Sequence, residues 1–204
     1  MKSKVTENKK NKENSILQSA FQLFTNRDIH QVSVSEIAKQ AGVAKGTFYL
    51  YFKDKYQIRD ILITKESRRI FLDAQKKLEE NDIRNFEDSL IFMINQILIS
   101  LESNPIRLKF IEKNLSLGVF SNRLQSAIDD DLLNVKETFR QKAEASGYHY
   151  DNPDVILYMI VEMVGSTCYN SILFKQPLPI QEYKVYLFEA IRSILRSMRT
   201  DKID

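Results

Sequence analysis

Apolar residues recur along this chain with the three-to-four-residue spacing of amphipathic helices, and no segment alternates apolar and polar residues as a half-buried strand would. The spacing predicts helices over approximately residues 15–26, 33–41, 44–52, 54–80, 83–101, 106–117, 121–146, 153–174 and 180–198. Glycine or proline punctuates several of the boundaries, among them Gly42, Gly118, Gly147, Pro153 and Pro179. We therefore predict an all-α protein.

The second and third of these helices are short and are separated by one tight turn. Ser33 and Glu36 form the sequence signature of a capping box at the start of the first. Gly42 follows this helix, where a left-handed residue commonly ends a helix. Phe48 and Phe52 lie four residues apart, so they share one face of the next helix and are expected to pack in a core. The segment thus predicts a helix-turn-helix.

Residues 37–55, IAKQAGVAKGTFYLYFKDK, resemble the helix-turn-helix signature of the TetR/AcrR family of bacterial transcriptional regulators. The resemblance is strong for about residues 10–70 and only architectural beyond them. It implies an N-terminal three-helix head, joined by a long helix to a larger helical body for effector binding and dimerisation. One departure is Ala44, where the family commonly has a hydroxyl residue that caps the recognition helix.

Charge is unevenly distributed along the chain. Residues 1–60 carry a net charge of +5, whereas the whole chain of 204 residues carries +3. The positive end is therefore the end with the motif, as expected for a partner with a phosphate backbone. We divide the chain into a flexible basic arm (1–9), a helix-turn-helix DNA-binding domain (10–56) and a helical ligand-binding and dimerisation domain (57–204).

Candidate DNA contacts lie on the polar side of the motif. Lys45 and Tyr49 are expected to contact bases or the adjacent backbone, and Leu50 a thymine methyl. Ser35 is expected to reach in from the preceding helix. Thr47, Tyr51 and Lys55 are expected to hold phosphates. The complete predicted set is Ser33, Ser35, Lys45, Gly46, Thr47, Tyr49, Leu50, Tyr51 and Lys55.

The helix over residues 153–174 is apolar nearly all the way round, with Glu162 as the only charge between Val155 and Phe174. Its polar residues argue against a membrane span and favour packing against the protein's own core and a second subunit. The family resemblance implies a homodimer through the two C-terminal helices. Glu162 then either pairs with Arg192 or Arg196, within the chain or across the dimer, or serves an effector.

Candidate effector contacts in the body are aromatic, methionine and acidic residues. They are Phe92, Phe110, Tyr158, Met159 and Glu162. Such aromatic and methionine side chains are equally consistent with ordinary core packing, and both interpretations stand. The effector itself is expected to be a small molecule that tilts the long linking helix, as the resemblance implies.

The sequence gives little indication of an enzyme or of an exported protein. Cys168 is the only cysteine, so no disulfide forms within a chain, and no nucleophile motif, phosphate loop or metal-ligand spacing is present. Asp129, Asp130 and Asp131 are interpreted as a solvated helix face, and His30 as a turn residue. We predict no catalytic residue, no metal and no cofactor. The lysine-rich N-terminus lacks the apolar stretch of a signal peptide, which favours a cytoplasmic protein.

The sequence as a whole predicts a dimeric, sequence-specific transcriptional regulator. We expect a repressor that is released from a pseudo-palindromic double-stranded operator by a small-molecule effector. The alternative is a DNA-binding protein without an effector, whose body serves only to dimerise.

Overall fold

The computed structural model describes residues 4–120 and 135–200, which form ten α-helices, one 3₁₀-helix and no β-strand. The α-helices are α1 (Lys4–Asn26), α2 (Val34–Gln40), α3 (Lys45–Tyr51), α4 (Lys55–Glu79), α5 (Phe86–Glu102), α6 (Pro105–Ile111), α7 (Leu117–Phe120), α8 (Val135–Ala145), α9 (Pro153–Phe174) and α10 (Ile180–Ser197), and the 3₁₀-helix is Ile29–Gln31. The predicted all-α fold, with an N-terminal helix-turn-helix and a larger helical body, is therefore confirmed.

Contacts between Cα atoms divide the chain into two units, Met1–Ile63 and Thr64–Asp204. The division falls within α4, so this helix contributes residues to both units. The domain boundary predicted between residues 56 and 57 lies in the first turn of the same helix. We call the first unit the head and the second the body.

The head is held together by apolar side chains from four helices. Fully buried members of this core are Ile16, Ala20, Ile37, Phe48 and Ile58. The Ser15 hydroxyl of α1 donates a hydrogen bond to the Ala41 carbonyl at 3.0 Å, at the end of α2. The apolar face that the sequence pattern assigned to residues 15–26 thus supports the helix-turn-helix.

Helix α1 is longer than the apolar pattern predicted. It begins at Lys4, whereas the sequence analysis started it at Ser15 and assigned residues 1–9 to an arm. Residues 6–12 are exposed, so no apolar periodicity marks them as helical. Glu7 and the three lysines of this segment have favourable helix propensities, which extend the helix beyond the part that is buried.

In the body, α9 packs against α5, α8 and α10. One face of α9, including Ile156, Ile160 and Val164, is buried, while Val155 and Tyr158 on the other face are exposed. By length and composition, Pro153–Leu173 is the one helix of the described residues that could cross a membrane, but 44% of its apolar window is buried inside the body. Its apolar character is thus partly explained by the body's own core.

The helix predicted over residues 106–117 is wrong at its C-terminal end. Helix α6 stops at Ile111, and Glu112 follows with a φ of 52°. Gly118, interpreted from the sequence as the stop signal, lies instead within α7. A Cβ atom at Gly118 would lie 2.6 Å from the Cβ of Ser67, so glycine is required there by close contact with α4. Residues 121–134 lie outside the described residues. The solvated helix face predicted at Asp129, Asp130 and Asp131 falls in this range and stays a prediction.

A buried carboxylate joins α5 to α10. Glu87 accepts hydrogen bonds from Arg196 at 2.7 and 2.8 Å, from Arg192 at 3.0 Å and from the Tyr148 hydroxyl at 2.7 Å. Arg192 also pairs with Asp88 at 2.7 Å. Arg196 first, then Tyr148 and Arg192, lower the pKa of Glu87 to about 2 against the opposing effect of burial. This cluster fastens the C-terminal helix to the start of α5.

The predicted pairing of Glu162 with Arg192 or Arg196 is therefore wrong within the chain. Helix α10 presents both arginines to the first turn of α5, where Glu87 takes their donors. Glu162 is half-buried on α9 and, in the part of the chain that the structure describes, makes no hydrogen bond or ion pair. Sequence spacing could not reveal which acidic residue α10 faces.

Candidate nucleic-acid interface and body cavity

The start of α2 is fixed by the predicted capping box. The Ser33 Oγ accepts a hydrogen bond from the backbone N–H of Glu36 at 3.2 Å, and the Glu36 carboxylate accepts one from the backbone N–H of Ser33 at 2.8 Å. Arg27 adds an ion pair to Glu36 at 2.9 Å. The backbone N–H of Ser33, its hydroxyl and Arg27 lower the pKa of Glu36 to about 2. Ser33 is exposed, but its hydroxyl is already hydrogen-bonded within the capping box of α2.

The turn between α2 and α3 has the predicted left-handed glycine. Gly42 has a φ of 67°, a conformation that costs glycine little, and its N–H donates to the Lys39 carbonyl at 3.2 Å. The N–H of Val43 donates to the Ala38 carbonyl at 3.0 Å and completes the turn. Ala44 is the N-cap residue of α3 and supplies no side-chain hydrogen bond to the helix.

Helix α3 has one buried and one exposed face. Phe48 is 0% exposed, and its ring centroid lies 6.0 Å from that of Phe52, so the predicted packing role of this pair is confirmed. On the outer side, Tyr49 is 52% and Leu50 81% exposed. A large apolar side chain so fully in solvent has no role in the head's own core. This face is available to a partner.

The other predicted DNA contacts surround that face. Ser35, Lys45 and Gly46 are exposed, whereas Thr47 and Tyr51 are half-buried. The side chain of Lys45 makes no hydrogen bond or ion pair within the residues that the structure covers. Six of the nine predicted contacts thus lie on α3, and a seventh, Ser35, is exposed on α2.

Lys55 is placed differently from the other predicted contacts. Its Nζ donates hydrogen bonds to the carbonyls of Ile29 at 2.7 Å, Val32 at 2.8 Å and His30 at 3.3 Å. The next residue, Tyr56, lies with its hydroxyl 3.3 Å from the Nδ1 of His30. Lys55 thus joins the first residue of α4 to the segment that enters α2, an arrangement that sequence spacing did not indicate.

The body contains a cavity of about 60 Å³ between α4, α5, α8 and α9. Most of its wall is apolar and includes Phe71, Leu78, Phe86, Ile94, Ile97, Leu115, Phe139, Leu157, Ile160 and Val164. At one end, Gln75, Thr138 and Lys142 also line a wider recess of about 420 Å³ beside the end of α4, with a lining of mixed polarity that includes Glu79, Glu80 and Asp82. Lys142 is half-buried and, among residues 4–120 and 135–200, has no hydrogen-bond or ion-pair partner.

None of the five predicted effector residues lines this cavity. Tyr158 and Met159 are exposed on the outer face of α9, where Glu162 is half-buried, and Phe92 and Phe110 are half-buried elsewhere in the body. Effector contacts at these five residues therefore stay a prediction. Because α9 is apolar on both faces, the sequence pattern could not tell its inner residues from its outer ones. The cavity residues of α8 were missed, although Thr138 and Lys142 lie four residues apart on one helix face.

The described residues form neither a candidate metal site nor a reactive thiol site. Over residues 4–120 and 135–200, no three His, Cys, Asp or Glu side chains lie together as a candidate metal site. Cys168 is buried, and desolvation raises the pKa of its thiol to about 11. Cys168 is therefore a packing residue of α9.

Comparisons with known proteins agree with this architecture. Residues 16–60 match the family model described as bacterial regulatory proteins, tetR family. The uncharacterized HTH-type transcriptional regulator YdgC of Bacillus subtilis is 30% identical over 158 residues, 76% of this chain and 75% of that protein. The fatty acid metabolism regulator protein of the same species is 45% identical over 64 residues, 30% of this chain and 31% of that protein. The structure of the fatty acid degradation regulator FadR from Bacillus halodurans has a TM-score of 0.59 at 21% identity, covering 92% of this chain and 96% of that one.

Since the similarity to YdgC spans three quarters of both chains and the helix-turn-helix matches the family model, the protein belongs to the tetR family of bacterial transcriptional regulators.

Proposed function

We propose that the protein is a homodimeric repressor that binds a pseudo-palindromic operator and is released from it by a small molecule in the body cavity. DNA recognition by α3 is supported by the contrast between the two faces of this helix, since Phe48 is buried whereas Tyr49 and Leu50 are exposed to solvent. The major groove offers thymine methyls and acceptor atoms to such side chains. We assign base contacts to Lys45, Tyr49 and Leu50.

Residues beside this face would hold the sugar–phosphate backbone. Ser35, Thr47 and Tyr51 supply hydroxyl donors at the edges of the exposed face. A Cβ atom at Gly46 would meet nothing within 4 Å, so packing inside the head does not require glycine there. Glycine within a helix costs up to about 1 kcal/mol relative to alanine. Close approach of a DNA strand to α3 would explain why glycine, which has no side chain, occupies position 46.

The proposed dimer uses the outer faces of α9 and α10. These faces expose large apolar side chains: Val155, Tyr158, Met159, Phe174, Val185 and Tyr186. Exposed apolar surface of this extent on two neighbouring helices favours a second subunit as its partner. Two copies of the pair would form a four-helix interface, and two heads would then meet two half-sites of one duplex. Glu162, on the same helix and without a partner in the described chain, would be covered there.

The body cavity supports the effector part of the proposal. At about 60 Å³ it is well below the roughly 150 Å³ cavity that binds benzene, so a larger ligand must displace the lining helices. Phe71, Gln75 and Leu78 of α4 belong to that lining. Because the first turns of α4 belong to the head, displacement of its later turns gives an effector a route to the DNA-binding unit. An effector that binds one arrangement better shifts the population toward it.

The cavity's two ends suggest the effector's chemistry. An apolar chain would fill the part between Phe86 and Ile160, and one acidic group would meet the ammonium of Lys142, which has no ion-pair partner among the described residues. Glu79, Glu80 and Asp82 also line the recess and would repel such a group, so the binding of an acid depends on Lys142. A narrow chain also displaces the helices less than a ring system would. The name of one relative, a fatty acid metabolism regulator, agrees with such an effector.

Thermal-shift and DNA-binding measurements test these assignments together. The DNA probe is a duplex selected from a random-sequence pool by the purified protein, and the ligand probes are decanoic acid and the uncharged decanol. We expect decanoic acid to raise the melting temperature and weaken DNA binding, because it binds the folded body. Lys142→Met should abolish the preference for the acid over the alcohol. Lys76→Met, which removes an exposed lysine outside the cavity lining, should not.

The outcomes separate the alternatives. If the duplex binds but neither compound nor a wider library raises the melting temperature, the body only dimerises and no effector is involved. If decanol acts as strongly as the acid, the apolar cavity is used but the role of Lys142 is wrong. A reporter gene downstream of the selected duplex should be silenced by the protein, and activation of the reporter would show an activator instead.

No chemical step is required of such a protein. The relatives reported above are named as regulators, and we propose that this chain likewise has no enzymatic activity. A regulator of transcription in a bacterium works in the cytoplasm, where the DNA is, and we place the protein there.

A further inference from the structure

Lys55 stands out among the lysines near the recognition helix, because its ammonium group is already fully used. A lysine ammonium has three N–H donors, and the carbonyls of Ile29, His30 and Val32 lie 2.7, 3.3 and 2.8 Å from Nζ. The side chain is half-buried. A phosphate could be bound only by breaking one or more of these hydrogen bonds.

The three carbonyls belong to the segment that sets the position of α2. Ile29 and His30 lie in the 3₁₀-helix, and Val32 immediately precedes Ser33, the N-cap of α2. Lys55 is 23 to 26 residues further along the chain, at the first residue of α4. One side chain therefore fixes the entry to the helix-turn-helix against the helix that follows it.

A second contact joins the same two segments. The Tyr56 hydroxyl lies 3.3 Å from the Nδ1 of His30, and the two ring centroids are 6.1 Å apart. Lys53, two residues before Lys55, is by contrast exposed, and in the described part of the chain its side chain has no hydrogen bond or ion pair. The two lysines have equal charge and opposite environments.

We propose that Lys55 is a positioning residue, which holds the α2–α3 unit in its DNA-binding arrangement and does not itself contact a phosphate. The proposal rests on DNA binding by the helix-turn-helix and adds a role for a residue outside it. A cation at the first residue of a helix is unfavourable for the helix dipole. The three carbonyls supply the compensating negative ends of peptide dipoles, which explains why lysine is stable at this position.

The test compares Lys55→Met, Lys55→Arg and Lys53→Met with the wild type by fluorescence anisotropy on the duplex selected by the wild type. Binding is measured from 50 to 300 mM salt, at a temperature where circular dichroism shows each variant fully folded. Each lysine–phosphate contact contributes about 0.9 to the slope of log K against log salt concentration. A lost phosphate contact and a lost positioning contact therefore give different results.

We expect Lys55→Met to weaken binding at least tenfold with an unchanged salt slope. Lys55→Arg should not restore affinity, because a planar guanidinium cannot direct three donors to the same carbonyls, although arginine is a good phosphate ligand. Lys53→Met, which removes the same charge without breaking an internal contact, should retain the wild-type melting temperature.

Three results would overturn the proposal: a slope reduced by about one unit in Lys55→Met, wild-type affinity in Lys55→Arg, or unchanged affinity in Lys55→Met. If Lys55→Met does not fold, Lys55→Arg alone decides, since it keeps the charge and changes only the geometry. Failure of the wild type to bind any selected duplex would count against the DNA-binding function itself, which is a separate result.

Discussion

Replacing Glu87 by glutamine should destabilise the body by a predictable amount. The variant keeps the size and shape of the side chain but replaces one of its two acceptor oxygens by an NH2 donor, and it leaves Arg192 and Arg196 beside a neutral group. Glu87 is 3% exposed, and its pKa falls from 4.5 to about 2 in the folded protein. At about 1.4 kcal/mol per pKa unit, this shift corresponds to about 3 kcal/mol of stability at neutral pH. Breaking a buried ion pair from one side typically costs a similar roughly 3–5 kcal/mol.

The dependence on pH has a definite sign. Because the folded-state pKa of Glu87 is depressed, its contribution is fully present above pH 4.5 and is lost as the pH falls from 4.5 toward 2. The difference in unfolding free energy between wild type and Glu87→Gln should therefore be largest near pH 7 and shrink progressively in acid. The variant itself no longer titrates at this position.

Urea unfolding combined with hydrogen-exchange mass spectrometry of α5 and α10 peptides measures this difference in the body alone. With an m value of about 1–3 kcal/mol per M, the unfolding midpoint at pH 7 should fall by roughly 1–3 M. Glu144→Gln, which neutralises an exposed glutamate of α8, is the matched control and should leave the midpoint unchanged. All proteins are compared at one concentration, because dimerisation would stabilise the folded state. An unchanged midpoint in Glu87→Gln, or a difference that does not vary between pH 7 and pH 3, would refute the reasoning.

Four further substitutions test other parts of the chain. Phe48→Ala should destabilise the head by about 3–5 kcal/mol because it removes a fully buried ring, and circular dichroism should show lost helix; a folded variant that merely fails to bind DNA would contradict this. Gly118→Ala should lower the melting temperature of the body, since its Cβ would lie 2.6 Å from the Cβ of Ser67. Gly46→Ala, with nothing within 4 Å, should instead stabilise the head by up to about 1 kcal/mol. Glu162→Gln should leave the ligand-induced thermal shift unchanged, because Glu162 does not line the cavity; loss of that shift would place it in the effector site.

The sequence determined those features that depend on neighbouring residues. The capping box of Ser33 and Glu36, the left-handed Gly42 and the buried pair of Phe48 and Phe52 are all set by residues within about four positions of one another. The helix-turn-helix, the all-α class and the bounds of α9 and α10 followed from such local signals. Where helix propensity was not accompanied by an apolar face, as at the start of α1, the pattern failed.

Tertiary structure decided what depends on residues far apart in sequence. Glu87 meets Arg196 across 109 positions, Lys55 meets the carbonyl of Ile29 across 26, and Gly118 meets Ser67 by close approach of α7 to α4. Local spacing carries no information about which partner an outward side chain reaches. A charge or a glycine whose purpose is such a contact therefore looks, in sequence, like a solvated residue or a helix stop. For the same reason, the cavity between four helices could be located only once their packing was known.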